Sequence, residues 1–181
     1  MTSGDEVLWE KIKGYVSLNP AVLVIGGGSE FFRDILKPSR FETINPDSKS
    51  SYRCDLNYSV THLFPYREFH VIINTGASAL VFNQYQLFKT IHDCCRYGGL
   101  MVHTVLWTGW LDSAYYTYQP GFFRDLAEAN EYETVTMFAY EVRGQTVRWA
   151  CTPSLLGEDT LLYTAFQKTT VEPFRIPAQK P

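Results

Sequence analysis

Five consecutive apolar residues, Ala21-Val22-Leu23-Val24-Ile25, run directly into Gly26-Gly27-Gly28-Ser29. An apolar run without polar interruption is the pattern of a strand covered on both faces, as in parallel sheets. Phe31, Phe32, Ile35 and Leu36 then mark a helix that Pro38 closes. Strand, glycine turn and helix in that order point to an α/β architecture. Such a turn leaves backbone N–H groups and a positive helix end at the carboxyl edge of the sheet, where an anion or a polar cofactor tail is received. The same spacing also occurs where glycines make nothing more than a turn.

The rest of the chain continues the alternation. Ser3-x-x-Glu6 has capping-box spacing and opens a first helix with Leu8, Ile12 and Tyr15 on one face. Phe41 to Ile44 reads as a second strand and Tyr52-Arg53-Cys54 as a short third. The segment between them is too short for a helical crossover, so either the crossover is trimmed to a loop or one strand is misplaced. Phe69-His70-Val71-Ile72-Ile73 is a strand. A helix with Val81, Tyr85, Phe88, Ile91 and Cys95 on one face follows, stopping at Gly98-Gly99. Leu100 to Leu106 is the next strand, and an aromatic loop runs from Trp107 to Gln119. Pro120 opens a helix with Phe122, Leu126 and Ala129 inward. Glu133–Val142 and Thr160–Gln167 are β-like and suggest an antiparallel pair at one edge, with Thr146–Ala150 a further piece. The expected organisation is a capping helix over residues 1–20, an α/β domain over 21–170 and an extended tail over 171–181.

Composition narrows the function classes. The 181 residues carry 16 Lys+Arg against 19 Asp+Glu, and no basic tract of five or more residues occurs, which counts against a dedicated nucleic-acid binder. No apolar run is long enough to span a bilayer and the acidic start has no signal-like apolar region, so a cytoplasmic protein is expected. Cys54, Cys94, Cys95 and Cys151 form no C-x-x-C pair and read as buried free thiols. No metal site is expected.

As a dinucleotide fingerprint the glycine turn fails. In G-x-G-x-x-G counted from Gly26, the last position is Phe31, where close helix–strand packing wants Gly or Ala. Four stretches instead resemble the class I S-adenosylmethionine-dependent methyltransferases: Val22 to Ser29; Cys54-Asp55-Leu56; Phe69 to Thr75; and Phe88 to His103, where a helix, Tyr97-Gly98-Gly99 and a strand run in that family's order. The resemblance covers roughly Ala21 to Gln167. It implies a three-layer α/β sandwich on a mostly parallel, seven-stranded Rossmann-like sheet with an antiparallel strand at the C-terminal edge.

The resemblance also implies S-adenosylmethionine as cofactor and assigns its contacts. Gly26, Gly27 and Gly28 face the methionine end, and Asp55 accepts from the adenine amino group with Leu56 against the ring. Asn74 and Thr75 sit near the sulfonium. The family's ribose carboxylate at the end of the second strand is replaced by Thr43 or Asn45, depending on register, with Asp47 the nearest downstream carboxylate, and the first-strand acid by Val24. Glu30 occupies the place of the turn's third glycine, and His70 that of the acid common before the fourth strand. For catalysis two candidates stand: His103, near the end of the fifth strand, as a general base, and Asp112 as base or substrate anchor. The more ordinary reading of His103 is a buried, hydrogen-bonded core residue. Trp107, Trp110, Tyr115 and Tyr118 would face the substrate, or form a contact with another subunit. The expected function is methyl transfer to a small-molecule or sugar-like acceptor. The alternative is a catalytically inactive relative serving as a binding or scaffold subunit.

Overall fold

The computed structural model describes residues 3–28, 30–47, 49–64, 67–149, 157 and 159–179. Ser29 and Cys151 fall outside them. Helix α1 (Gly4–Ile12) starts at the expected capping box: Ser3 Oγ accepts from the Glu6 N–H (3.2 Å) and Glu6 Oε2 accepts from the Ser3 N–H (2.7 Å). Leu8 and Ile12 are buried, but Tyr15 is not, because the α-helix ends at Ile12 and Tyr15 belongs to a 3-10 turn that rotates it off the face.

Strand β1 (Ala21–Gly26) pairs in parallel with β2 (Arg40–Asn45) on one side and β4 (Phe69–Thr75) on the other. Helix α2 (Glu30–Leu36) connects β1 to β2, and β3 (Tyr52–Arg53) extends the sheet outward from β2. Only six residues separate the end of β2 from the start of β3, which pair in parallel, so both strands exist and the crossover is the trimmed element. A hydroxyl clasp replaces the missing helix: Thr43 Oγ1 accepts from Ser51 N–H (2.8 Å), and Ser51 Oγ accepts from Thr43 N–H (3.1 Å).

Helix α3 (Gln84–Cys94) passes into β5 (Cys95–Thr108) without a loop. The strand thus begins five residues before the expected Leu100, and its register against β4 jumps from Phe69↔Cys95 to Val71↔Leu100. A side chain allows this early stop. Lys168 Nζ donates to the His92 carbonyl (2.5 Å) and the Cys95 carbonyl (3.0 Å), satisfying the end of α3 that Gly98-Gly99 was expected to terminate. Helix α4 (Pro120–Ala129) buries Phe123, Leu126 and Ala127, one position round from the expected face.

Strands β6 (Glu133–Glu141), β7 (Thr146–Arg148) and β8 (Thr160–Gln167) complete an eight-stranded sheet in the order β3-β2-β1-β4-β5-β8-β6-β7. The expected antiparallel pair is present as β6 and β8, and the expected further piece brings the sheet to eight strands in place of seven. β8 runs antiparallel between β5 and β6, and the three-residue β7 hairpins onto β6 as an eighth strand. Alternation along β1 divides the core. Val22 and Val24 face α1 and α2, whereas Leu23 and Ile25 face the α3–α4 layer. Each such fully buried aliphatic side chain stabilises the fold by about 1.5–3 kcal/mol. No helix among the described residues is long and apolar enough to cross a membrane.

Candidate functional site

The chain leaves β1 toward β2 and β3, then returns to the other side of β1 as β4. The carboxyl ends of β1 and β4 therefore diverge, which is where open α/β sheets form their crevice. A cleft of about 560 Å³ lies there, within the range of small-molecule sites. Its walls are Gly26 and Gly27 after β1, Ile44, Asn45 and Pro46 at the end of β2, Asp55, Leu56 and Asn57 after β3, and Thr75, Gly76, Ala77, Leu80 and Val81 after β4.

The floor requires glycine at one position. Gly26 has φ +105°, and a Cβ there would stand 2.5 Å from the Thr75 carbonyl oxygen. Gly27 differs: a Cβ there would meet nothing within 4 Å, so its backbone is open to the cleft. Thr75 Oγ1 donates to the Gly27 carbonyl and ties the glycine turn to the end of β4. At the far wall Asp55 Oδ1 accepts from Asn57 N–H (2.9 Å) and Asn57 Nδ2 (2.8 Å), an Asx turn. Asn57 Oδ1 in turn accepts from Asn83 N–H (2.8 Å), and Asn83 caps α3 by accepting from Gln86 N–H (3.1 Å). The Asp55 loop is thus anchored to the first turn of a helix.

Of the residues singled out in the sequence, Gly26, Gly27, Asn45, Asp55, Leu56 and Thr75 converge on this cleft. Gly28 is exposed beyond it. Thr43 does not line it, because its hydroxyl belongs to the Ser51 clasp; the position facing the cleft is Asn45. Asn74 turns the other way. Its side chain is buried in the core, Oδ1 accepting from Ser78 N–H (3.3 Å) and Nδ2 donating to His103 Nδ1 (3.2 Å).

His103 is corrected by the same contact. The ring is buried among Phe88, Phe123 and Phe166, and Asn74 occupies Nδ1, so the proton resides on Nε2. Burial pushes its pKa down to about 3, far from a base poised near neutrality. It is the core histidine of the two readings. His70 is likewise structural, Nδ1 accepting from Ala21 N–H (3.2 Å).

The aromatic segment does not assemble into the expected pocket. Trp107 lies in β5 and is buried, its Nε1 donating to Gln119 Oε1 (2.9 Å). Trp110 Nε1 donates to the Thr160 carbonyl (2.9 Å), toward β8. Tyr118 is buried with its hydroxyl donating to the Ser78 carbonyl (2.8 Å), and burial raises its pKa. Asp112 sits on an exposed turn at φ +56° and does not line the cleft. Tyr115 alone of the four aromatic candidates is well exposed. Sequence reasoning missed Ile44, Pro46, Asn57, Gly76, Ala77, Leu80 and Val81. The only signals there were Asn-Pro at the end of β2 and Gly76 after β4. Cys94 and Cys95 are buried free thiols pushed up to about 12 by burial, and among the described residues no cluster of metal-ligating side chains occurs.

No protein-family model matches the chain, and no curated protein matches it. Solved structures do. An S-adenosylmethionine-dependent methyltransferase from Mesorhizobium loti superimposes with TM-score 0.59 at 13% identity, covering 88% of this chain and 96% of that one. The fold is that of the S-adenosylmethionine-dependent methyltransferases. Geranyl diphosphate C-methyltransferase from Streptomyces coelicolor, solved with Mg²⁺, geranyl diphosphate and S-adenosylhomocysteine, gives TM-score 0.62 at 12% identity over 91% of this chain and 80% of that one. A geranyl diphosphate methyltransferase in complex with S-adenosylmethionine gives 0.60 at 12% identity, covering 90% and 84%. The methyltransferase fold thus spans nearly the whole chain.

Proposed function

We propose that the chain is an S-adenosylmethionine-dependent methyltransferase acting on a small-molecule acceptor in the cytoplasm. One observation carries the reading: a single cleft at the switch point gathers the glycine turn, a polar side chain at the end of β2, and an acid followed by a buried leucine after β3. The donor set suits such a cofactor. Gly27 leaves the backbone approachable, Asn45 offers an amide to ribose hydroxyls, and Asp55 keeps Oδ2 for an amino group while Oδ1 holds the Asx turn. Ile44, Pro46 and Leu56 supply apolar surface beside it. The bound cofactor would supply an activated methyl group on a sulfonium, so the protein's task is alignment and exclusion of water.

The experiment is calorimetric titration with S-adenosylmethionine and S-adenosylhomocysteine, with NAD as control. Micromolar binding of the first two and none of the third is the expected result. A second reading rests on Asn45 standing where the resemblance implies a carboxylate: a non-catalytic relative acting as a binding subunit. A folded chain giving no heat with either compound would establish it over the first.

A further inference from the structure

The cleft wall contributed by Ala77, Leu80 and Val81 is followed outward by an apolar surface. Leu80, which lines the cleft, is 61% exposed, Phe82 is 71% exposed, and Tyr115 reaches the same surface from the loop after β5 at 69%. The Phe82 and Tyr115 rings stand 6.1 Å apart at 80°, forming an edge-to-face corner. Rigid backbone holds the corner. The Ala79 carbonyl accepts from both Tyr115 N–H (2.9 Å) and Tyr116 N–H (3.2 Å), and Tyr116 Oη donates to the Phe82 carbonyl (3.1 Å). Gln84 Nε2 donates to the Ser78 carbonyl (2.9 Å) from beneath.

We propose that Leu80, Phe82 and Tyr115 form the acceptor shelf of the cleft, and that the acceptor is an uncharged molecule with a flat apolar body, such as an aromatic ring system. The proposal takes its place in catalysis from the cofactor reading above. Three observations choose this occupant. The shelf is continuous with the cleft through Leu80. Its three side chains, two aromatic rings and one leucine, offer well under the ~800 Å² per partner that a stable protein interface buries, yet enough for one ring system. Among the described lining residues the single charged group is Asp55, at the opposite wall, so an anionic acceptor would meet no countercharge. A sugar would need several polar partners. The Ala79 and Phe82 carbonyls and the Tyr116 hydroxyl are instead spent within the shelf, which leaves the Tyr115 hydroxyl as its one polar side-chain group, too few for a sugar.

The test uses N-phenyl-1-naphthylamine, an uncharged aromatic probe whose emission rises in apolar surroundings, with the full chain and three variants. Phe82→Ser and Tyr115→Ser are each expected to weaken probe binding about tenfold, the loss of one aromatic wall, with unchanged Tm. Ile176→Ser, in the separate apolar hollow between α3, α4 and the tail, is expected to leave it unchanged. S-adenosylhomocysteine affinity, measured in parallel, is expected to be equal in wild type, Phe82→Ser and Tyr115→Ser. Probe binding insensitive to both shelf substitutions would overturn the shelf, as would competition by methyl glucoside in place of the probe. So would a wild-type dimer, seen by sedimentation, that Phe82→Ser dissociates. A chain that takes the probe through Phe82 but does not bind S-adenosylhomocysteine would uphold the shelf and remove the cofactor reading alone.

Discussion

The two ends of the sheet handle polar groups in opposite ways. At the carboxyl end, Asn45, Asp55 and the Gly27 backbone face an open cleft, and apolar side chains stand in solvent beside it. At the other end, where α3 meets β5, Lys168, His92 and Asn130 are buried and hydrogen-bonded. Lys168 is fully buried on two carbonyls; His92 Nδ1 contacts Tyr132 Oη (2.6 Å), and its Nε2 donates to the Glu172 carbonyl (2.9 Å). Asn130 clamps the tail through the Arg175 carbonyl (2.9 Å) and N–H (2.8 Å). Satisfied buried networks hold a structure in one arrangement, whereas unspent polar groups are what a ligand can use. The difference separates the part of the molecule that stabilises from the part that binds.

That contrast predicts effects of different kinds at the two ends. The largest falls on the sealed end. Lys168→Met keeps most of the buried stem but strips two buried carbonyls of their donor, and about 3 kcal/mol of stability should be lost. Tm should fall by roughly 10 °C, read by calorimetry, with little change in ligand affinity. The same lysine has a pH signature. Burial lowers its pKa to about 8, below the unfolded value near 10.5, so between those limits the unfolded chain binds more protons and stability rises with pH. Urea denaturation at pH 8 and 9.5 should show the wild type gaining stability relative to Lys168→Met; a flat difference would refute a lysine whose burial lowers its pKa in the folded chain.

Gly26→Ala comes next. The left-handed φ and the 2.5 Å approach to the Thr75 carbonyl make it cost about 2 kcal/mol, and it should damage binding as well, since it displaces the cleft floor. Asp55→Ala should leave Tm within about 1 °C while lowering S-adenosylhomocysteine affinity about tenfold, as loss of a charge-assisted hydrogen bond requires. If Tm falls instead, the Asx turn matters more than the ligand contact. The smallest and most diagnostic effect belongs to Asn45→Asp. Restoring a carboxylate opposite ribose hydroxyls should raise affinity about fivefold, since charged hydrogen bonds exceed neutral ones by about 1 kcal/mol. A decrease would show that no ribose lies there.

What could be read from the sequence follows the same division. Helices and strands were legible wherever one physical signal dominated: the capping box of α1, the apolar run of β1, Pro120 at the start of α4. Those signals are local. The ends of α3 and β5 were misplaced because the donor that stops the helix, Lys168, lies over seventy residues away, where no pattern near Gly98-Gly99 reveals it. The cleft was legible through residues attached to strand ends, Gly26, Asn45 and Asp55. Leu80 and Val81 were not, since they reach the wall through a 3-10 turn without periodicity. His103 and the buried aromatics show the remaining ambiguity. A side chain at a strand's carboxyl end points either to the cleft or to the core, and parity along β5 becomes certain only once the register with β4 is known.

Helix α3 belongs to both ends. Its first turn is capped by Asn83, which also grips the Asp55 loop, and its last carbonyls rest on Lys168. Eleven residues, about 16 Å, separate these fastenings. A helix fixed at both termini cannot fray from either, so its amides should exchange with solvent as a single unit and not in a gradient from the ends. Ligand contact at Asp55 would then slow exchange along the full helix, down to its last turn beside Lys168, turning α3 into a strut that carries news of the cleft to the far side of the protein.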